Sequence, residues 1–451
     1  MIRLDQNVYL LIAVFSVIQF FILARWPLVD WDESVYIGMG KWLYSGGQAG
    51  LWEPIRPLLI PVILGFFWFA GQDVILIGHI IALLFSIGCI FMVFLIGKEI
   101  FNKRVGLLAA VILSITPIFF SLSLSLLTDI PSTFFALVAI WFFIKKQPIF
   151  SGLAAGLAFL TRFPQGLVFL AIICLLFLDF LKRKKIKSIA SFLIGFCIVI
   201  PYFVFNQITY GSALAPFPYA VEAVYGEYLW LYDLGVSFYF WVLPVQNLFF
   251  IFTIAGFYFY FKKKLWLKKD LNILVVCLLL FFSYFTLLVH KDVRFAIPFT
   301  PYLALLSSYG FAEKFSKMKS KNLLPLMIAL SIASIGIIGY YLNTMQIEKP
   351  NILTECQLGP GHILSSTPLI AKYVDNRITG YYSLEGAFDA YRQFKNSSSY
   401  IIFTPDSFPC NTKECEQKRN NLFEIIKSEN ELICEGRGAY NQTTYIFKTG
   451  L

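Results

Sequence analysis

Apolar runs long enough to cross a lipid bilayer recur along this chain, and a water-soluble core could not bury so many of them. A helix rises about 1.5 Å per residue, so roughly 20 apolar residues span a hydrocarbon core of about 30 Å. Runs of this kind lie at residues 8–28, 74–97, 105–126, 165–181, 189–205, 236–261, 271–289, 296–311 and 323–342. Shorter ones lie at 130–144 and 149–160. Lys and Arg cluster after every second run: Lys98, Lys103 and Arg104; Lys145 and Lys146; Lys182 to Lys185 with Lys187; Lys262 to Lys264; Lys314, Lys317, Lys319 and Lys321. Basic residues flanking short loops remain cytoplasmic. The pattern therefore predicts about eleven spans, a cytoplasmic N-terminus and an outer C-terminus. A further apolar piece at 57–70 is too short to cross and reads as an interfacial or re-entrant helix on the outer side.

Composition agrees. Of 451 residues, 58% are hydrophobic and only 14% charged, which excludes an ordinary soluble protein. The net charge of +10 would suit nucleic acid, but its placement beside spans assigns it to membrane topology, so no nucleic-acid partner is expected. The first run is too long for a cleaved leader and has no small-residue cleavage site, so it reads as a retained span.

Residues 343–451 differ in character. Strands are expected at 363–366, 377–382, 399–404 and 443–448, and helices at 368–375 and 415–428. The chain thus reads as an α-helical multi-spanning membrane domain, residues 1–342, followed by a small α/β domain on the outer face. Cys356, Cys410, Cys415 and Cys434 all fall in this tail, and an even number confined to one polar region suggests disulfides in an oxidising compartment. Sequons at Asn396 and Asn441 point weakly the same way.

Chemistry-bearing residues sort to the side opposite the basic clusters: Asp30, Asp32 and Glu33; Arg56; Asp129; Arg162; and His290, Lys291, Asp292 and Arg294. Topology alone does not demand that sorting, and it suggests one outer cavity. Each residue also has a plainer reading. Asp32 could cap a helix running into Val35 and Tyr36, and Asp129 another helix. Arg162 could snorkel, and Asp292 could pair with Lys291 or Arg294 in a turn. His79 reads as a satisfied interior histidine, and His362 belongs to no constellation. Three carboxylates in four residues permit a divalent cation, Mg or Mn, at Asp30 and Asp32, without requiring one.

Together these motifs resemble the GT-C glycosyltransferases, multi-spanning enzymes that use polyprenyl- or dolichyl-phosphate-linked sugars. Asp32-Glu33-x-x-Tyr36, Arg56-Pro57, Thr128-Asp129 and the run from Gly156 to Pro164 resemble the protein O-mannosyltransferase and aminoarabinose-transferase branch. His290-Lys291-Asp292-Val293-Arg294-Phe295 is similar to the His-Lys-Glu-x-Arg-Phe motif of mannosyltransferases that build GPI anchors and lipid-linked oligosaccharides, with Asp292 where that motif has Glu. The resemblance implies that Asp32 is a base, with Glu33, Asp129 and Asp30 orienting the acceptor or shaping the cavity. It implies that Arg56, Arg162, His290, Lys291 and Arg294 neutralise the phosphate of a lipid carrier. The acceptor is left open among protein, lipid and glycan. The competing reading is a transporter or flippase for a lipid-linked or anionic solute, in which the same charges line a pathway.

Overall fold

The computed structural model describes residues 3–184, 186–226, 228–267, 269–318, 320–347, 352–438 and 440–450. Lys185 and Lys319, members of two basic clusters, lie outside the described residues. The chain divides into two compact units. One comprises Met1–Ala24, Ile80–Val224 and Leu231–Met345; the other comprises Arg25–His79, Tyr225–Trp230 and Gln346–Leu451.

The first unit is helical. Among the described residues, six helices are long and apolar enough to cross a membrane, or up to eight if each of two bent pairs is one span. The chain is an integral, multi-pass membrane protein. The count differs from about eleven because three apolar helices are shorter: Leu59–Phe69, Asp129–Ile144 and Pro148–Thr161.

Both bent pairs lie where a single straight span was expected. Lys103–Ser114 turns by 64° into Pro117–Leu124, and Phe238–Gln246 turns by 117° into Leu248–Lys262. Pro117 cannot donate to the preceding turn and starts a fresh helix instead. Breaks in apolar surroundings leave backbone groups that must find partners. Buried Asn247 supplies them at both breaks. Its Nδ2 donates to the Ile112 carbonyl and to Thr116 Oγ1, both at 3.1 Å, and its Oδ1 accepts from Phe249 N at 3.1 Å. The expected aromatic loop at 206–235 contains a short helix, Pro216–Val224.

The second unit holds the tail, and more than the expected 343–451. Its five-stranded sheet has β1 (Ile363–Ser365), β2 (Ile378–Gly380), β3 (Tyr400–Phe403), β4 (Glu431–Arg437) and β5 (Thr443–Lys448) in the order β2-β1-β3-β5-β4. β1 is parallel to β2 and β3, and β5 is antiparallel to β3 and β4. β4 was not expected, because its mostly exposed residues lack an alternating apolar face. One sheet face is covered by the helices Leu384–Phe394 and Lys413–Glu429, through Ala387, Tyr391, Leu422 and Ile426 packed on Ile401, Phe403 and Phe447.

On the other face Ile363, Ile370, Ile402 and Ile446 pack with Val35, Met39 and Leu51. Val35 and Met39 are one helical turn apart in the helix Trp31–Tyr44, so their shared stripe faces the sheet. The acidic stretch is therefore built into the tail's core. Lys41 Nζ pairs with Asp375 at 2.9 Å and Lys372 Nζ donates to the Val29 carbonyl at 3.1 Å. Helix Leu59–Phe69 lies so close that a side chain at Gly65 would put Cβ 2.4 Å from the Gly40 carbonyl oxygen.

Disulfides join Cys356 to Cys434 and Cys410 to Cys415. The first closes a separation of 78 residues, from the segment before β1 to the edge strand β4. Replacing Cys356 and Cys434 together with Ser is expected to destabilise the tail by about 2–4 kcal/mol. Faster proteolysis after non-reducing purification, confined to residues beyond 346, checks this.

Candidate active site

Two groups of charged residues emerge, one in each unit. In the second unit the chain enters the helix Trp31–Tyr44 through a capping box. The Asp30 side chain accepts from the helix's first amide groups, and Asp30 N donates to Glu33 Oε2 at 2.8 Å. Tyr440, near the tip of the β4–β5 hairpin, donates its hydroxyl to Asp30 as well. The cap is thus Asp30, not Asp32 as the plainer reading had it. Glu33, only 3% exposed, is committed to that cap rather than turned toward a ligand. Asp32 remains in the first turn, where the helix dipole favours a negative charge.

Asp32 Oδ1 accepts from Arg56 Nη2 at 2.7 Å, while Arg56 Nε donates to Glu53 Oε2 at 2.9 Å. Arg56 also lies over the ring of Tyr36, 5.6 Å from its centroid. Asp32 and Tyr36 are one turn apart on one face, which accounts for the spacing of Asp32-Glu33-x-x-Tyr36. Burial opposes the charge on Arg56, but Asp32 and Glu53 more than offset it, and the guanidinium pKa stands well above its ordinary value.

In the first unit Asp129 opens the helix Asp129–Ile144, and Arg162 follows the end of Pro148–Thr161, where the backbone turns extended ahead of Pro164. Arg162 Nη1 meets Asp129 Oδ2 at 2.8 Å and reaches Thr128 Oγ1 at 3.4 Å. The Asp129 side chain is 1% exposed and that of Arg162 15%. Arg162 lies over the ring of Phe295 at 5.2 Å, and Arg294 lies near the same ring at 5.5 Å. Arg294 pairs with Asp292 at 3.3 Å, and Asp292 Oδ1 caps the turn by accepting from Arg294 N at 2.9 Å. Asp129, Arg162, Phe295, Arg294 and Asp292 thus form one chain of contacts.

The other two basic-motif residues are used differently. Lys291, 2% exposed, donates Nζ to the Leu288 carbonyl at 2.6 Å, a structural use of the ammonium. His290 stacks on Tyr232 at 4.0 Å between ring centroids. His362 bridges Thr379 Oγ1 and Ser398 Oγ inside the tail, and burial lowers its pKa. His79 is buried. Among the described residues no three His, Cys, Asp or Glu side chains gather to hold a metal ion.

Sequence reasoning missed Glu53, whose signal was its spacing three residues before Arg56. It passed over Tyr36 as more than a motif letter. Thr128 is engaged through the Asp129–Arg162 pair, and Gln165 donates Nε2 to Ser132 Oγ at 3.2 Å on the same helix as Asp129.

Residues 55–206 match the family described as dolichyl-phosphate-mannose-protein mannosyltransferase. No curated protein matches the sequence. Several solved structures share the fold over nearly all of the chain. ArnT from Cupriavidus metallidurans, bound to undecaprenyl phosphate, aligns with a TM-score of 0.64 at 12% identity, covering 97% of each chain. The apo oligosaccharyltransferase of Archaeoglobus fulgidus aligns with a TM-score of 0.62 at 13% identity, covering 98% of this chain and 74% of that one. Arabinofuranosyltransferase AftD from Mycobacteria aligns with a TM-score of 0.57 at 10% identity, covering 98% and 41%. The matched segment and the whole-chain likeness agree: the chain has the fold of these glycosyltransferases.

Proposed function

We propose that the protein moves a hexose, mannose in the first instance, from a dolichyl- or polyprenyl-phosphate carrier to an acceptor at the outer face of a membrane. The family match names dolichyl-phosphate mannose, and one fold relative holds undecaprenyl phosphate. The observation that carries the chemistry is Asp32 held by Arg56 at 2.7 Å in the first turn of a buried helix. A base must be an acceptor fixed in place, and here a guanidinium fixes it. Asp32 takes the proton of the acceptor's nucleophilic group. That group attacks the sugar's anomeric carbon, the bond to the carrier phosphate breaks, and a direct displacement inverts the anomeric centre.

The departing phosphate gains negative charge, which fixed cations stabilise. Arg56 is assigned that role beside Asp32, because guanidinium geometry suits phosphate and its side chain is partly exposed. Lys291 is left with a supporting role. No cofactor is needed in this scheme, and a divalent ion would have to displace Asp30 and Glu33 from the helix cap. A transporter would use broken helices to line a pathway. Here the two breaks close on Asn247 and Thr116, which favours the enzyme.

The test is direct. Membranes containing the protein, given radiolabelled dolichyl-phosphate mannose, should accumulate labelled product and free dolichyl phosphate in equal amounts, with the anomeric configuration inverted. Movement of intact donor across the membrane with no product would overturn the enzyme and favour the transporter.

A further inference from the structure

Tyr382 belongs to no motif. It follows β2 in the tail, yet its ring meets Trp31, the residue before Asp32, edge to face at 5.2 Å between centroids. Its hydroxyl oxygen is shielded from solvent and has no hydrogen-bond partner among the described residues. A buried hydroxyl without a partner is costly, so such groups call for a functional account. The nearby charges are those of Glu53 and Arg56, which also hold Asp32. Burial, reinforced by Glu53 and partly opposed by Arg56, raises the phenol pKa well above its ordinary value. The group is therefore a neutral donor. The ring lies so tightly across β2 that a Cβ on Gly380 would fall 2.4 Å from the Tyr382 hydroxyl oxygen and 2.2 Å from the ring carbon that bears it. Glycine at 380 is what lets the ring take this place.

Resting on the function proposed above, we propose that Tyr382 is a substrate-binding residue: its hydroxyl donates a hydrogen bond to a substrate oxygen that docks beside Asp32 and Arg56. The tail domain thereby takes part in the reaction. The oxygen belongs either to the carrier phosphate or to the acceptor, and the experiment separates the two.

Tyr382→Phe removes only the hydroxyl and keeps the ring on Trp31. It is expected to leave the thermal midpoint of the detergent-solubilised protein unchanged or slightly raised, because no intramolecular bond is lost and a buried hydroxyl without a partner is removed. Binding of dolichyl phosphate, the KM for dolichyl-phosphate mannose and the maximal rate are then compared with wild type in the same membranes. A phosphate partner raises the dissociation constant and the KM together by roughly tenfold or more. An acceptor partner leaves both alone and lowers the maximal rate by roughly threefold to tenfold. Gly380→Ala, which displaces the ring, should reproduce whichever change is seen. If all three constants stay within about twofold of wild type, or if the midpoint falls along with them, the hydroxyl has no role in binding. A wild-type protein that neither binds dolichyl phosphate nor transfers mannose overturns the function itself, and this proposal with it.

Discussion

Asp32→Asn is expected to lower sugar transfer by roughly 10²–10⁴-fold, the usual contribution of a positioned base. Asparagine keeps the shape of the side chain, and its carbonyl oxygen still accepts from Arg56 Nη2. Arg56 also retains Glu53 at 2.9 Å, so its charge is not stranded. The fold around it is held by Val35 and Met39 on the sheet and by the Asp30 cap, none of which the substitution touches. Expression, thermal midpoint and dolichyl phosphate binding should therefore remain close to wild type while turnover collapses. Transfer at the wild-type rate would remove Asp32 as the base. Loss of folding along with activity would instead make the Asp32–Arg56 pair structural. Glu53→Gln supplies the contrast, because it loosens Arg56 and leaves the base intact, so its effect on turnover should be much smaller.

The membrane class was legible because hydropathy and charge placement are local signals that need no tertiary context. Two kinds of feature were not. The bends near Pro117 and Asn247 fall inside runs that read as single spans, since Asn247 finds its partners at Ile112 and Thr116, far away in sequence. The unit that contains the tail was also wider than its composition suggested. Val35, Met39 and Leu51 look like span-flanking residues in the sequence, and only the sheet reveals what they cover. The site shows the same division. Asp32 with Arg56, and Asp129 with Arg162, were picked out as candidates, and the structure places each acid on its own arginine. Lys291 could not be distinguished from Arg294 by sequence. Its burial under the Leu288 carbonyl depends on how the turn folds back. Tyr382 carries no local signal at all, because its meaning lies in strand β2 bringing it to Trp31.

Asp129→Ala should be the most damaging substitution for stability. The carboxylate is 1% exposed and Arg162 Nη1 sits 2.8 Å away. Arg162 otherwise faces the Phe295 ring and the Thr128 hydroxyl, neither of which carries a compensating charge. Removing one member of a buried pair leaves the other charge uncompensated, at a cost of about 3–5 kcal/mol. Equilibrium unfolding of the solubilised protein checks this, and a loss below about 1 kcal/mol would show that the pair behaves as an exposed one. The double variant Asp129→Ala with Arg162→Met separates stability from chemistry. With both charges gone the desolvation cost vanishes, so much of the lost stability should return. Transfer should return with it, because the carrier phosphate is assigned to Arg56, which the double variant leaves in place. Recovery of both would make the pair a structural device alone, whereas recovery of stability without transfer would give the Arg162 guanidinium a part in the reaction beyond holding the fold.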